Sequence, residues 1–518
     1  MLDYSMRNTN VPDKLNGFSL MIDRWANSEK ANNIALVWPD GKYTYAEVAL
    51  KASAFAKAMI SMGLSRGDRV VANVYGGPET VIAYLAMIKV GLVPIPTSML
   101  LGREELGHIL ADSEARAFLF EEENLASISS LSSLPPLLIQ LRGTKSSYPV
   151  LTELADQIDT ETPTVDTAAE DTAFILYSTG TTGKPKGIIH TQRTIFGIGE
   201  TMGRYWPGVR QGDIVFHPHE LSFSYTWSAG FMAVLYMGST MISFQGRFNE
   251  NAFVKYLSCK PTIFCSVPTV YRMLLNELKI DTLGSINKCI SAGEPLPADV
   301  AKRWYERFGM EILDGIGTSE TFLFCGHMAG MQVRYGSMGK PIEGYRVGVL
   351  NDEGKPCQDG EVGNLAVGAE HPCVCKDYVN LPGKYELSCR EGWFHVGDLA
   401  YRDEDGYIWH VSRSDDIIKS RGYFIAPQEI ENVLCTHPYV LESGVIGIPD
   451  PLLGQKVKAF ITLKQGVAFD DLEEFREELR EYVGSRIARF KVPKEIDIIE
   501  ELPKSPTGKL LRRVLRTI

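Results

Sequence analysis

The sequence predicts an α/β protein with a large N-terminal domain of layered α/β sheets and a small mobile α+β C-terminal domain. Helix-like and strand-like segments alternate through most of the chain, and the pattern changes near Gly397. The chain has 518 residues, of which 44% are hydrophobic. That is enough apolar material for more than one packed core.

The alternation begins near the N-terminus. Residues 47–62 are Ala-rich and amphipathic and predict a helix, and DRVVANVY at 68–75 predicts a buried strand. Residues 79–90 predict another helix, and GLVPIP at 91–96 predicts a strand that ends in a turn. Such alternation favours parallel strands covered by helices.

The C-terminal part has a different pattern. The stretch from 392 to 422 predicts a hairpin that turns at Asp405 and Gly406. It is followed by a predicted helix at 427–437, the predicted strands ESGVIGIPD and VKAFITL, and a long charged helix at 470–487. We therefore place a boundary at 414–416, with a large domain at 1–414 and a small domain at 415–518.

Composition narrows the class of protein. The net charge is −11 and no basic block is present, which argues against a nucleic-acid partner. The N-terminus lacks the pattern of a secretory signal. The longest apolar stretch, 231–244, is interrupted by Gly238 and Ser239 and is too short to span a membrane. We expect a cytoplasmic protein without a membrane partner, as a monomer or homodimer.

Isolated pairs of possible metal ligands do not predict a metal centre. The nine cysteines are scattered, and Cys373 and Cys375 form a single C-x-C pair. His217 and His219 form an equally isolated H-x-H pair. Buried or incidental side chains are the favoured interpretation of both pairs, because neither has a second pair at metal-ligand spacing.

The segment FILYSTGTTGKPKGIIHT, residues 174–191, carries the first chemical signal. A predicted buried strand leads into a run of hydroxyls, glycines and lysines, which suits a polyanion such as a nucleotide triphosphate. A surface turn is the simpler alternative, but it does not explain the whole run. The common P-loop does not match, because its second Gly falls at Pro185. The candidate phosphate-binding residues are Ser178, Thr179, Gly180, Thr181, Thr182, Gly183 and Lys186.

Five motifs in order resemble the adenylate-forming superfamily, which includes acyl-CoA synthetases, peptide-synthetase adenylation domains and firefly luciferase. They are YSTGTTGKPKG, GIGTSE, GWFHVGDLAYRDEDGY, SRSDDIIKSRGYFIAPQEIE and PKSPTGKLLRR, and they cover nearly the whole chain. Two departures are small. Ser178–Thr179 replaces the more usual Thr–Ser order, and Ser319 stands where Thr is commoner, so the hydroxyls are kept.

The resemblance implies a two-step reaction with ATP, Mg²⁺ and coenzyme A. A carboxylate attacks the α-phosphate of ATP, giving an acyl-adenylate and pyrophosphate. A thiol then attacks the acyl carbon and expels AMP. The adenylate is needed because a free carboxylate has no good leaving group.

The resemblance also assigns roles to individual residues. Lys186 and its loop would hold the β- and γ-phosphates, and Glu320 would bind Mg²⁺. Asp398 would accept hydrogen bonds from the ribose hydroxyls, with Arg413 beside it. Lys509 would bridge the attacking carboxylate and the α-phosphate. Further nucleotide-binding positions are Asp314, Gly315 and Ser319.

Lys509 belongs to the small domain, so the resemblance implies that the domains close for adenylation. The small domain then rotates and presents another face to the thiol. Asp415 matches the hinge position. The residues expected on the thiol and pantetheine side are Lys419, Arg421, Gly422 and Tyr423.

The acid is predicted from HELSFSYTWSAG, residues 219–230. Phe223 falls where the family gates its acyl pocket, and Phe-Ser-Tyr resembles the Phe-Ala-Tyr of benzoate-type CoA ligases. The simpler alternative is that Phe223 and Tyr225 are core aromatics. The small walls leave room for a ring, and no acidic residue is present to pair with an α-amino group. The pocket candidates are Phe223, Ser224, Tyr225, Ala292, Gly293, Gly315, Ile316 and Gly317.

The sequence therefore predicts a ligase that joins an aromatic, benzoate-like acid to coenzyme A. One alternative is a ligase for a bulkier polycyclic or fatty acid in secondary metabolism. Another is loading of the acyl group onto the phosphopantetheine of a carrier protein. A degenerate nucleotide-binding protein without catalysis is disfavoured, because the sequence keeps Lys186, Glu320, Asp398, Arg413 and Lys509.

Overall fold

The computed structural model describes residues 11–128, 131, 133–143, 147–159, 161–179, 184–420, 423–467, 469, 471–504 and 510–518. The chain divides into two compact units. The first unit runs to Val347 and includes Val367–Val396, and the second comprises Gly348–Ala366 and Gly397–Ile518. The domain boundary predicted at 414–416 stays a prediction.

The largest sheet of the first unit has nine strands. Its central strands pair in parallel, and the strands at the ends pair antiparallel. The order is Lys340–Pro341, Phe322–Gly326, Ile312–Thr318, Lys288–Ser291, Ile263–Ser266, Ile214–Phe216, Thr240–Ile242, Ile34–Trp38 and Gly41–Thr44.

Two smaller sheets complete the strand layers of this unit. One is parallel, in the order Val93–Thr97, Arg69–Asn73, Ala117–Phe120 and Leu137–Gln140. The other is antiparallel, in the order Asp377–Tyr378, Pro185–Thr191 and Thr172–Thr179.

Helices connect these strands. The α-helices of the first unit are Arg24–Ala26, Tyr45–Ser61, Pro78–Lys89, Arg103–Asp112, Leu125–Ile128, Leu151–Asp156, Gln192–Ile198, Ala233–Tyr236, Glu250–Tyr256, Pro268–Glu277, Ala298–Phe308 and Lys384–Ser388. Short π-helices occupy Ser19–Asp23, Gly199–Gly203 and Thr226–Met232, and 3₁₀ turns occupy Glu122–Asn124 and Leu257–Cys259. Within the described ranges, no helix has both the length and the apolar character to cross a membrane.

The remaining strands lie toward the C-terminus. Trp393–Arg402 pairs antiparallel with Cys389–Arg390 and Ile408–Arg413, in a sheet that also contains Val347–Leu350 and Gly363–Gly368. A second sheet has the order Tyr423–Ile425, Ile418–Ser420, Gly454–Leu463 and Val440–Asp450, and Glu495–Ile498 pairs in parallel with Gly454–Leu463. The helices are Pro427–Cys435, Leu472–Gly484 and Arg512–Leu515, with a 3₁₀ turn at Arg489–Lys491.

The predicted α/β fold class is confirmed, and local chemistry explains the individual elements. The helix predicted at 47–62 spans Tyr45–Ser61, because Thr44 caps its start and Glu47 bonds back to the Thr44 N–H at 2.7 Å. The predicted hairpin turns between Arg402 and Ile408, where the N–H of Tyr407 donates to the Asp403 carboxylate at 2.8 Å.

A core of aromatic rings lies on one face of the nine-stranded sheet. Phe216 is fully buried at its centre, with ring contacts to Tyr256 at 5.4 Å and Phe264 at 5.6 Å. Further rings from Phe244, Phe248 and Phe253 surround it. Such a cluster buries large apolar surfaces in offset and edge-on contacts. It fixes the strand Ile214–Phe216, which leads directly to the segment predicted to line the acyl pocket.

We predict that Phe216→Ala lowers the free energy of unfolding by about 3–5 kcal/mol, since it removes a buried ring and leaves a cavity. Urea unfolding followed by tryptophan fluorescence measures the loss. The control is Val254→Ala on the neighbouring helix, where the side chain is 46% exposed. That change should cost less than about 0.5 kcal/mol. Equal losses in both variants would contradict the central role of Phe216.

Candidate active site

A β-hairpin presents the predicted phosphate-binding segment. The strands Thr172–Thr179 and Pro185–Thr191 pair antiparallel, and Ser178 stands directly opposite Lys186. Directly opposed residues project from the same face of a sheet. The hydroxyl of Ser178 and the ammonium group of Lys186 therefore come from one face at the hairpin end. Gly180, Thr181, Thr182 and Gly183 lie outside the described residues, as does the side chain of Thr179.

The helix Arg103–Asp112 contacts both strands of this hairpin. Nε2 of His108 donates to the Pro185 carbonyl at 3.0 Å, and the Tyr177 hydroxyl donates to Asp112 Oδ2 at 2.8 Å. Burial raises the pKa of Tyr177 well above its usual range. The sequence motif did not identify His108, because it lies far from the loop along the chain and no local pattern marks it.

The loop that carries Glu320 is held on several sides. The buried His190 donates from Nε2 to the Ser319 carbonyl at 2.9 Å, and the Cys375 N–H donates to the Glu320 carbonyl at 2.7 Å. The Tyr378 hydroxyl donates to Glu320 Oε1 at 3.2 Å. Burial lowers the pKa of His190 to about 4, so its imidazole is neutral at physiological pH. These contacts direct the Glu320 carboxylate without placing a positive charge beside it.

The surroundings of Glu320 fit Mg²⁺ in the way that nucleotide-dependent enzymes use it. Within the described ranges, no three His, Cys, Asp or Glu side chains form a metal-binding group. Mg²⁺ keeps several waters and is commonly held by one or two carboxylates together with substrate phosphates. A single carboxylate is therefore sufficient on the protein side, and Glu320 is half-buried, as such a ligand would be.

Asp314 provides a buried polar group that suits a nucleotide. Its side chain is buried, and Oδ1 has no hydrogen-bond partner among the described residues. Burial raises the pKa of Asp314 to about 8. A buried polar atom without a partner is costly, so a ligand that supplies one is stabilised. The exocyclic amine of adenine is such a partner.

The predicted acyl segment lies next to the nucleotide motif. The Ser319 hydroxyl donates to Ser224 Oγ at 3.2 Å. The ring of Phe223 lies 3.0 Å from the position of a Cβ atom added at Gly293, where φ is +90°. A side chain at Gly293 would therefore strain the backbone and press on the Phe223 ring. His219, which was considered only as a possible metal ligand, makes an edge contact with Phe223 at 5.9 Å and a 3.0 Å hydrogen bond with Ser266.

The other pocket candidates are more tightly packed. Tyr225 is buried against His217 at 4.4 Å and Trp206 at 6.2 Å. A Cβ atom at Gly315 would lie 2.9 Å from Trp206, and one at Gly317 would lie 2.3 Å from the Phe322 carbonyl. Close packing alone therefore accounts for the presence of glycine at both positions. Of the remaining candidates, Ala292 is buried and Ile316 is half-buried.

The second unit contains the predicted ribose-binding pair. Asp398 and Arg413 are directly opposed in the hairpin, and Arg413 Nη1 donates to Asp398 Oδ2 at 3.1 Å. His410 Nε2 lies 3.1 Å from the other carboxylate oxygen of Asp398. His410 was missed in the sequence, because it lies three residues before Arg413 on the same strand and simple alternation would place it on the opposite face. The buried Asp398 carboxylate is thereby fixed through both oxygens.

The hinge and thiol-side candidates of this unit lie largely at its surface. Asp415 and Lys419 are exposed, and Tyr423 is 54% exposed with its ring stacked on Phe490 at 4.4 Å. An exposed cation and an exposed aromatic face are suitable for the phosphate and adenine groups of coenzyme A. Arg421, Gly422 and Lys509 lie outside the described residues.

Comparison with known proteins identifies the class. A family model described as "AMP-binding enzyme" matches residues 22–379, and one described as "AMP-binding enzyme C-terminal domain" matches residues 429–509. The acyl-coenzyme A synthetase ACSM3 of Mus musculus is 33% identical over 98% of this chain and 91% of its own. The benzoate–CoA ligase of Thauera aromatica is 33% identical over 98% of this chain and 97% of its own. The crystal structure of the anthranilate CoA ligase AuaEII with anthranoyl-AMP matches with a TM-score of 0.90 and 31% identity, over 99% of this chain and 98% of its own.

The chain therefore belongs to the AMP-binding enzyme family, which confirms the predicted membership of the adenylate-forming superfamily. Within that family it is an AMP-forming acyl-CoA synthetase, an acid–thiol ligase that uses ATP, Mg²⁺ and coenzyme A.

We predict that Asp314→Asn removes a contribution to stability that falls with rising pH, so the slope of the free energy of unfolding against pH becomes more positive. The pKa of Asp314 is raised from 3.8 to about 8 in the folded protein, so between these values the folded state holds a proton that the unfolded state has released. The contribution of this group to the free energy of unfolding should therefore fall as the pH rises from 4 to 8, by up to about 1.4 kcal/mol per pH unit. Urea unfolding between pH 5 and 8 measures the slope.

The control for this experiment is Asp299→Asn, at an exposed position in the helix Ala298–Phe308. That variant should keep the slope of the natural protein. An unchanged slope in Asp314→Asn would show that Asp314 does not hold the proton.

Proposed function

We propose that this acyl-CoA synthetase activates an aromatic, benzoate-like carboxylic acid and transfers it to coenzyme A. One observation carries the proposal: the Phe223–Tyr225 segment is joined to the nucleotide motif by the 3.2 Å hydrogen bond between Ser224 and Ser319. An acid seated beside Ser224 would have its carboxylate close to the group it must attack. The likeness to benzoate–CoA and anthranilate–CoA ligases supports an aromatic acid.

We assign the phosphate-binding role to the hairpin end with Ser178 and Lys186. Lys186 and the backbone of the segment would hold the β- and γ-phosphates and stabilise pyrophosphate as it leaves. Glu320 would hold Mg²⁺, which offsets the negative charge of the phosphates when bound. Asp314 would bind the adenine amine, and Asp398 with Arg413 would bind the ribose.

The proposed reaction has two steps. A carboxylate oxygen of the acid forms a bond to the α-phosphorus of ATP. The bond from that phosphorus to the oxygen bridging the α- and β-phosphates breaks, and pyrophosphate leaves. Lys509 would stand between the two anions that must approach each other. In the second step the thiol sulfur forms a bond to the acyl carbon, and the bond from that carbon to the phosphate oxygen breaks. AMP leaves with the bonding electrons, and the thiol proton is released to solvent. Lys419, Arg421, Gly422 and Tyr423 would line the thiol side, with Asp415 as the hinge.

Other acids and acceptors remain alternatives to this proposal. A bulkier polycyclic or fatty acid would keep the same nucleotide chemistry. A carrier protein could supply the same phosphopantetheine thiol as coenzyme A. The predictions of a cytoplasmic location, and of a monomer or homodimer, stay predictions.

The first test is pyrophosphate release that depends on ATP, acid and coenzyme A. The panel contains benzoates, cinnamates, fatty acids and larger ring acids. We expect kcat/KM for the best benzoate to exceed that for the best fatty acid by at least tenfold. A preference for a fatty or polycyclic acid would contradict the proposed substrate class and leave the activity itself intact. Holo-carrier protein tested in place of coenzyme A distinguishes the acceptor.

We predict that Ser224→Ala and Tyr225→Phe change the preference among substituted benzoates. Loss of one hydrogen bond to a ring hydroxyl or amine costs about 1 kcal/mol, so kcat/KM relative to benzoate should fall about fivefold for such acids. The controls are Ser258→Ala and Tyr305→Phe, both at exposed positions. If both pocket variants kept the ranking of the natural enzyme, the assignment of these hydroxyls would be wrong.

A further inference from the structure

The residues on either side of 505–509 are paired with each other. Lys504 and Leu510 form an antiparallel bridge, and the N–H of Leu511 donates to the Pro503 carbonyl at 2.8 Å. On one side, the Lys504 ammonium group binds the two Glu442 oxygens at 2.7 and 2.8 Å. On the other, Leu510 packs on a small cluster that contains Phe460. The chain is thus fixed immediately after Lys509.

Arg512, three residues after Lys509 in the chain, makes several polar contacts. Its Nη2 donates to both oxygens of Glu431 at 2.7 and 2.6 Å, and its Nε donates to the Val445 carbonyl at 3.3 Å. Glu431 is buried, and one of its oxygens also accepts from the Val445 N–H at 2.8 Å. A buried charge that loses its counter-charge is costly, so this pair strongly restrains the position of Arg512.

The same segment also contacts the predicted hinge. Arg512 Nη1 lies 3.5 Å from Asp416 Oδ2, and Arg516 Nη2 donates to Asp416 Oδ1 at 2.9 Å. Arg516 also donates to the carbonyl of Asp415 at 3.3 Å. Two arginines of the C-terminal segment therefore contact the carboxylate of Asp416, the residue that directly follows the hinge position. These contacts all lie within the second unit.

We propose that Arg512 is a positioning residue for adenylation: through Glu431 and Asp416 it fixes the segment after Lys509 to the residues after the hinge. A rotation at Asp415 would then move the residues after the hinge together with residues 510–516, to which Lys509 is directly joined. The thioester step does not use Lys509 and does not need this contact. The inference rests on the proposed role of Lys509.

The test compares the two half-reactions in the full-length enzyme. Arg512→Gln removes the positive charge, and we expect kcat of adenylate formation to fall at least 30-fold, with KM for ATP within threefold. Thioester formation from supplied acyl-adenylate should stay within threefold, which also shows that the variant is folded. The double variant Arg512→Gln/Glu431→Gln also removes the carboxylate that has lost its partner. Its kcat of adenylate formation should be at least tenfold higher than that of Arg512→Gln.

The matched control is Lys504→Ala, which breaks the more exposed ion pair on the other side of 505–509. An exposed pair contributes little, so both half-reactions should stay within threefold. Equal losses in both half-reactions of Arg512→Gln would indicate a purely structural role and overturn the proposal. Adenylation that is unaffected in Arg512→Gln would also overturn it.

Lys509→Ala separates this inference from the proposed function. Loss of adenylation in Lys509→Ala together with full activity in Arg512→Gln would refute the role of Arg512 alone. Normal adenylation in Lys509→Ala would refute the role of the lysine, and the role of Arg512 would fail with it.

Discussion

The candidate active site depends on one constraint, the close approach of two antiparallel strands. These strands are Ile312–Thr318 and Phe322–Gly326. A Cβ atom at Gly317 would lie 2.3 Å from the Phe322 carbonyl, and one at Gly315 would lie 2.7 Å from the Cys325 carbonyl. Only glycine permits this approach, because displacing backbone is far more costly than displacing the end of a flexible side chain. The pairing buries Asp314 near one end of the hairpin and holds Glu320 in its turn.

Neutral side chains then direct the charged ones. His190 is buried on the ring of Phe174 and is neutral because burial lowers its pKa to about 4, yet it still donates to the Ser319 carbonyl. Tyr378 similarly directs Glu320 through a hydroxyl. A cation in the place of Tyr378 would compete for the Glu320 carboxylate with the Mg²⁺ that we propose it holds. A neutral donor gives the same orientation and leaves the charge of Glu320 available for that proposed role.

The sequence predicted the parts of this arrangement that local chemistry determines. The α/β alternation, the hairpin at Asp405–Gly406 and the strand before the glycine-rich segment follow from periodicity and turn residues, and the structure has each of them. His108, His190, Tyr378 and His410 were not predicted. Each contacts the site through tertiary structure, and a single buried histidine in a sequence looks the same whether it supports a site or only fills a core. The packing of Gly315 against Trp206 could likewise not be predicted from the sequence, because the two residues are far apart in the chain.

The second unit contains a buried ion pair, Glu431 and Arg512, whose value lies in fixing a position. An apolar pair in the same place would give equal or greater stability. Replacing a buried pair such as Glu431 and Arg512 by hydrophobic residues is often neutral or stabilising in other proteins, so stability alone does not account for it. An apolar contact tolerates small shifts, whereas an arginine that must satisfy Glu431, the Val445 carbonyl and Asp416 together has one acceptable position. In the reaction that we propose, Lys509 must reach two converging anions, and a segment that carries such a lysine gains from this geometric restriction. The buried pair costs desolvation energy, and in this proposal the cost is offset by accurate placement of the segment for adenylation.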